Sequence, residues 1–353
     1  MKTSTKFLKN LLLFAWVVVL TSCNKDEASA EPEQTDGIYG KWEVVSGEIL
    51  INDAKYIYIN TDDTFIVQSE DNRGFRDDYK TNITVTDIQI TISAWGTSIY
   101  NYTLEGNELT LIPPYDSPPI LLRRIANDNE ADNWIERLSI LDQGNVPWGR
   151  DMDITFDGEF LLGYHGEDGN ILQINPNDFS IAGTIPSTTR LSAVEIEKSD
   201  SSYRQLFLGG SGSGTFDSFL YSSNSLYYTS IPVGAYIRGI ASIEPGQLWL
   251  NSHNEEKLYK YKSNGALSPG EILETIDLGF QPNGMDYRDG YLYMVKDNKI
   301  FKCTTSSGLR AVETYSLDYH EIDGITFDGT NFWLNAESYE EEGYKLIKVD
   351  LGV

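Results

Sequence analysis

The stretch EIDGITFDGTNFWLN, residues 321–335, reads as an apolar strand, a tight turn at Asp328-Gly329, and a second strand from Asn331 to Asn335. The phrase recurs in looser spelling four times: DMDITFDGEFLLGYH from Asp151, LSAVEIEKSDSSYRQLFLGG from Leu191, IRGIASIEPGQLWLNSH from Ile237 and PNGMDYRDGYLYMVK from Pro282. Aligned on one column it falls at Asp153, Ala193, Gly239, Gly284 and Gly324, a spacing of about 40 to 46 residues. A period of that length, filled with short β-branched and aromatic runs, belongs to the blades of a β-propeller. It specifies an architecture and no particular chemistry.

Each repeat reads as four strands, the first leading to the hub and the last lying on the rim. In the Gly239 repeat they are 239–243, 247–251, 257–262 and 271–278; in the Gly284 repeat, 284–287, 291–295, 299–303 and 311–317. The last repeat supplies 324–327, 331–335 and 344–349 and lacks its fourth strand. WIERLSIL, residues 134–141, has no blade of its own and matches the rim strand ILETIDL, 272–278, in pattern. Placed at the rim of the last blade, it closes the ring and leaves no broken sheet edge. The expectation is a five-bladed propeller over 134–353, closed by its N-terminal strand. The hub phrase resembles that of YncE-like, NHL-like and streptogramin-lyase-like propellers, a resemblance that implies fold rather than activity.

A different all-β domain precedes it. Residues 37–125 give eight strand candidates: 41–51, 56–60, 64–69, 79–86, 88–93, 98–104, 108–112 and 120–125. Turn signals at Asp62-Asp63, Asn72-Arg73-Gly74 and Glu105-Gly106-Asn107 separate several of them, and no helical pattern intervenes. This predicts a small antiparallel barrel. Gly40-Lys41-Trp42, the YTLEGNELTL run at 102–111 and the closing LLRRI resemble lipocalin-like domains, which implies that Trp42 plugs one end of the barrel. A barrel this small is filled by its own side chains, so a spacer or docking role is expected over ligand binding. Residues 126–133, ANDNEADN, lack the ordered spacing of a calcium loop and read as a linker.

The first 22 residues run from Lys2, Lys6 and Lys9 into an apolar segment, the order of a secretory leader. It ends in Leu20-Thr21-Ser22-Cys23, which resembles the lipobox of bacterial lipoproteins; the resemblance implies cleavage there and diacylation of Cys23. The Asn24-Lys25-Asp26-Glu27 that follows looks like the export signal of Bacteroidetes surface lipoproteins, and the polar 23–36 reads as a stalk. The expected location is the outer membrane, facing outward, with a lipid anchor at Cys23. Cys303, in the strand-like KIFKC, is expected to be an inert buried thiol.

Net charge is −26, with 53 acidic against 27 basic residues, which excludes nucleic acid as a general partner. Chemistry is therefore sought where loops into the hub strands meet those joining second and third strands. Ahead of the hub strands stand Arg150 with Asp151, Arg190, Arg238, Asn283, and Glu321 with Asp323; His165 and His253 hold equivalent places in two blades. Arginines, carboxylates and histidines together would hold an anionic or sugar-like ligand. No H-x-x-x-H or H-E-x-x-H occurs, and no metal or cofactor is expected. His320-Glu321 with Asp323 offers a general base, but no G-x-S-x-G nucleophile accompanies it. The GGSGSG run at 209–214 lacks the GK[ST] ending and following helix of a phosphate cradle. The leading reading is a non-catalytic protein binding a small molecule, glycan or protein. The alternatives are a lyase or glycoside hydrolase using the channel carboxylates, Asp151, Asp153 and Asp323 among them, or a subunit of an outer-membrane assembly.

Overall fold

The computed structural model describes residues 37–352, apart from 51–52, 95, 115–116, 126–133, 148–151, 166–168, 188–190, 199–203, 211–214, 222–228, 233–234, 265–269, 307 and 340–342. Cys23, Arg150, Asp151 and Arg190 lie outside the described residues. The chain packs as two units, one drawn from 1–50, 56–67 and 80–129, the other from 51–55, 68–79 and 130–353. The described residues are all-β.

Eight strands form a closed antiparallel barrel in sequence order: Gly40–Ser46, Ala54–Ile59, Thr64–Glu70, Arg76–Val85, Gln89–Ser93, Thr97–Glu105, Glu108–Ile112 and Ile120–Ile125, the last pairing back to the first. The alternation of the sequence explains the closure. Ile57, Ile59, Phe65, Val67, Ile90, Ile92, Leu109, Leu111 and Leu122 all have zero exposure and fill the interior. Trp42 is also fully buried, its Nε1 donating to Ile38 O at 2.9 Å, with the Arg124 guanidinium 4.3 Å from its ring. The predicted first strand, 41–51, stops at Ser46 because Gly47 turns the chain at φ +92°.

The propeller has five blades. The first comprises Thr155–Phe156, Leu161–His165, Asn170–Ile174 and Ile181–Pro186. The second comprises Leu191–Ile196, Gln205–Gly210, Thr215–Leu220 and Thr229–Pro232, so the loosest repeat still makes a whole blade, and a strand follows its GGSGSG run. The third is Ile237–Glu244, Gln247–Ser252, Lys257–Lys262 and Glu271–Asp277; the fourth is Gly284–Arg288, Tyr291–Lys296, Lys299–Thr304 and Arg310–Ser316. The fifth takes Glu321–Phe327, Phe332–Glu337 and Tyr344–Val349 from the end of the chain and Ile140–Val146 from its beginning.

Closure by the N-terminal strand is as expected, but its residues are not. Of WIERLSIL only Ile140 and Leu141 join the rim of the fifth blade; Glu136–Arg137 pair in parallel with the fourth blade's rim strand instead. Trp134, placed in the strand by its apolar pattern, is buried under Lys55 and Arg76, with cation-to-ring distances of 5.1 and 4.7 Å. The true closing strand, ILDQGNV, is mostly exposed, which hid it. In the same unit the turn at 71–75 packs against the third and fourth blades. Phe75 meets Phe280 and Phe301 edge-on, at 5.0 and 5.2 Å, and Arg73 O accepts from Ala311 N at 2.9 Å.

In the four blades where the turn between the first two strands is described, it is built in three ways. Asp328 Oδ1 accepts from Thr330 N and Asn331 N, both at 2.8 Å, and its Oδ2 accepts from Trp333 Nε1 at 2.7 Å. Asp157 repeats the backbone part with Glu159 and Phe160. Asp289-Gly290, with φ of +50° and +87°, makes a two-residue hairpin between Arg288 and Tyr291. Pro245-Gly246 makes the third form, with Gly246 at φ +76°.

Blades stack face to face, so both faces of the second strands are covered; Leu248, Trp249 and Leu250 are all buried, whereas the rim strand Glu271–Asp277 is almost wholly exposed. At the hub the strands converge until only small residues fit. A Cβ on Gly284 would lie 2.5 Å from Asp153 Oδ1 and 2.8 Å from Gly324 Cα; one on Gly324 would lie 2.9 Å from Asp153 Cα. Three of the five aligned column positions are glycine, the fourth is Ala193, and the fifth is Asp153, whose carboxyl fills the axis. Gly284→Ala should therefore cost about 3 kcal/mol, lowering Tm by roughly 10 °C, whereas Gly290→Ala, in open space, should cost less. Thermal denaturation of the two variants checks this ordering.

Candidate functional site

The hub strands begin around a cavity of about 410 Å³. Arg238, Asn283 and Glu321 line it from the hub strands and the residues just before them; Glu256 and Asp297 line it from the connections between second and third strands, and Lys296 from the end of a second strand. The two loop classes do meet there. The rest of the lining is Gly279, Phe280 and Gln281, on the return from the third blade's rim to the fourth blade's hub.

Arg238 lies at the centre of a cluster drawn from three blades. Its side chain is 9 % exposed, and Nη2 lies 3.6 Å from Asp323 Oδ1 and 3.9 Å from Glu321 Oε1. Nη1 lies 3.4 Å from His253 Nδ1, and the His253 ring stands edge-on to Tyr236 at 5.2 Å. Asn283 Nδ2 donates to Glu321 Oε1 at 2.8 Å and to Ile322 O at 3.0 Å. A guanidinium removed from water needs carboxylate partners, and the two acids provide them.

Five sequence candidates, Arg238, His253, Asn283, Glu321 and Asp323, are thus brought together. His165 is not among the cavity residues; it ends the second strand of the first blade, half-buried. Arg150 and Arg190 fall outside the described residues. Gln281 and Phe280 were missed because they sit on a rim-to-hub return, where strand patterning carries no signal. Cys303 is buried, which pushes its thiol up, in keeping with an inert role.

Asp153 is fully buried one level deeper. Its carboxyl accepts from Ile154 N at 3.0 Å, Ile325 N at 3.2 Å and Met285 N at 3.2 Å. Burial holds it well above the usual carboxylate range, with the three N–H bonds pulling the other way. Those bonds join the first, fourth and fifth blades and take Asp153 out of the carboxylate set a glycoside hydrolase would need.

At the far end of the hub a second polar cluster closes the axis. Glu195 Oε1 accepts from Ser242 N and Oε2 from Thr155 Oγ1, both at 2.8 Å. Lys198 Nζ, from the second blade, pairs with Asp286 Oδ1 of the fourth at 2.8 Å, and Asp286 Oδ2 accepts from Phe327 N of the fifth at 2.7 Å. Glu195 is pushed up to about 8 by burial first and by the Asp286 charge second, with Lys198 opposing.

No family model and no curated protein matches the chain. Among solved structures, a Myxococcus xanthus glutaminyl cyclase is similar at 11 % identity, covering 61 % of this chain and 97 % of that one, with a TM-score of 0.45. A streptogramin B lyase is similar at 14 % identity over 91 % and 95 %, TM-score 0.35. The WD40 propeller domain of Doa1 is similar at 9 % over 89 % and 98 %, TM-score 0.39. None of these likenesses assigns an activity to this chain.

Glu195 titrates between its ordinary value of 4.5 in the unfolded chain and about 8 in the fold. The folded state holds the proton more tightly, so its contribution to stability is complete below pH 4.5 and is lost as pH rises to about 8. Glu195→Gln keeps the bond from Ser242 N at its amide oxygen, reverses the Thr155 bond so that the amide donates to Oγ1, and removes this titration. Its urea midpoint should fall less than the parent's between pH 5 and 8, and parallel profiles would refute the assignment.

Proposed function

We propose that the protein is a lipid-anchored binding protein of the outer membrane, exposed at the cell surface, whose propeller holds a sugar at the channel mouth without catalysis. The observation that carries the ligand class is the chemistry of the 410 Å³ cavity. Arg238, Lys296, Asn283 and Gln281 donate, Glu256, Asp297 and Glu321 accept, and Phe280 supplies an apolar ring. Two cationic and three anionic side chains leave no positive excess to draw a free anion, while hydroxyl groups use donors and acceptors alike. The absence of a nucleophile motif, and the engagement of Asp153 in the hub, support binding over turnover. The lipocalin-like reading of the barrel fits a spacer, since nine fully buried apolar side chains lie inside it.

The anchor rests on the LTSC sequence at 20–23 and the polar residues behind it. Two acyl chains suffice to hold a protein on a membrane.

Two measurements test the proposal. A panel of neutral and acidic monosaccharides, followed by thermal shift and product analysis, should give at least one stabilising sugar that is recovered unchanged. Arg238→Ala should weaken that sugar by at least about tenfold. A sugar converted to product would instead establish the lyase or hydrolase alternative, and a panel without effect would remove the sugar reading. Separately, protease added to washed intact cells should remove the parent protein, and labelled palmitate should enter it but not Cys23→Ala. A protein that resists protease on intact cells is not surface-exposed.

A further inference from the structure

The fifth blade carries a donor set of which the sugar reading uses only Glu321. His320, Glu321 and Glu337 each present one donor atom, and all three atoms lie within 4.8 Å of one another. We infer that these residues bind a first-row divalent cation of the zinc type at the edge of the channel mouth.

Backbone register builds the set. Glu321 stands directly opposite Glu337 in the hairpin of the first two strands, and His320 N donates to Glu337 O at 3.0 Å. Two carboxylates placed opposite each other across an antiparallel pair repel, and a cation between them turns the repulsion into attraction. His320 Nδ1 already lies 3.5 Å from Glu337 Oε2, and its ring stands edge-on to Tyr339 at 5.4 Å. Asn283 Nδ2 donates to Glu321 Oε1, so an outer hydrogen bond orients that carboxylate, as is usual around bound metals.

The donors select the ion. One imidazole nitrogen and two carboxylates suit zinc and its neighbours, whereas calcium and magnesium prefer all-oxygen shells. Donor atoms of a tetrahedral zinc site stand about 3.3 Å apart, so the set closes by small side-chain rotations of the exposed His320 and half-buried Glu337. Three protein ligands leave one position open, and Glu321 also lines the cavity. Arg238, 3.9 Å from Glu321 Oε1, limits the affinity.

The test needs no sugar, so its outcome is separate from that of the binding proposal. Chelator-treated full-length protein is titrated with zinc chloride by calorimetry, then in the presence of millimolar magnesium or calcium. One zinc per chain is expected, undiminished by the other ions. His320→Ala and Glu337→Gln should each weaken it at least about tenfold, and His165→Ala, a histidine elsewhere, should leave it intact. Absence of binding, or binding unchanged in both His320→Ala and Glu337→Gln, overturns the site.

Discussion

The propeller depends on how five hub strands share one axis. These strands do not hydrogen-bond to one another as a sheet does, so they meet through side chains or through bare backbone. Asp153 resolves the problem at the tightest point, with one carboxyl gathering N–H groups from the first, fourth and fifth blades. The glycines at 284 and 324 are its counterpart, since any Cβ there would enter the space that the carboxyl or the neighbouring strand occupies. Removing water from an acid is expensive unless donors replace it, and here the donors are groups that would otherwise be orphaned. The same contact satisfies both sides.

That packed waist separates the two ends of the axis. Above it Arg238 is held by Asp323 and Glu321; below it Lys198 reaches from the second blade to Asp286 in the fourth. Each end therefore carries an ion pair between blades, and the middle carries the Asp153 carboxyl, which burial keeps protonated more readily than usual. The ends differ in access. Arg238 and Glu321 open onto a cavity, whereas Glu195 and Asp286 have almost no exposure and are tied to backbone N–H groups of neighbouring blades. The first arrangement leaves room for a ligand; the second locks the ring.

Much of the fold could be read from the chain because its signals are local. Asp-Gly and Pro-Gly turns between apolar runs mark the first hairpin in four of the five blades, and the barrel strands fall within a few residues of their predicted places. The closing strand was misplaced because rim strands are exposed, so an apolar pattern points away from them: Trp134 went into a core, and the polar ILDQGNV took the rim. Site residues next to hub strands were legible, since position in the repeat fixes the face they occupy. Partnerships set by register were not. Nothing in the spacing of Glu321 and Glu337 shows that they stand opposite each other, because a bulge between Ile322 and Gly324 shifts the pairing.

The mouth also holds two acids on left-handed backbone. Glu256 and Asp297 lie in the second-to-third connections of the third and fourth blades, with φ of +53° and +50°. Glycine adopts this conformation freely, whereas a side chain there costs roughly 1 kcal/mol. Both residues nonetheless present carboxylates to the cavity, and their backbones are fixed, Glu256 O accepting from Leu278 N and Asp297 O from Ile322 N. Asp289, in a hairpin turn and not among the cavity residues, has the same backbone at φ +50°, so what sets these two acids apart is their place in the cavity wall and not their strain. The hub settles how the blades meet; these two acids add acceptors to the cavity that Arg238 and Glu321 line.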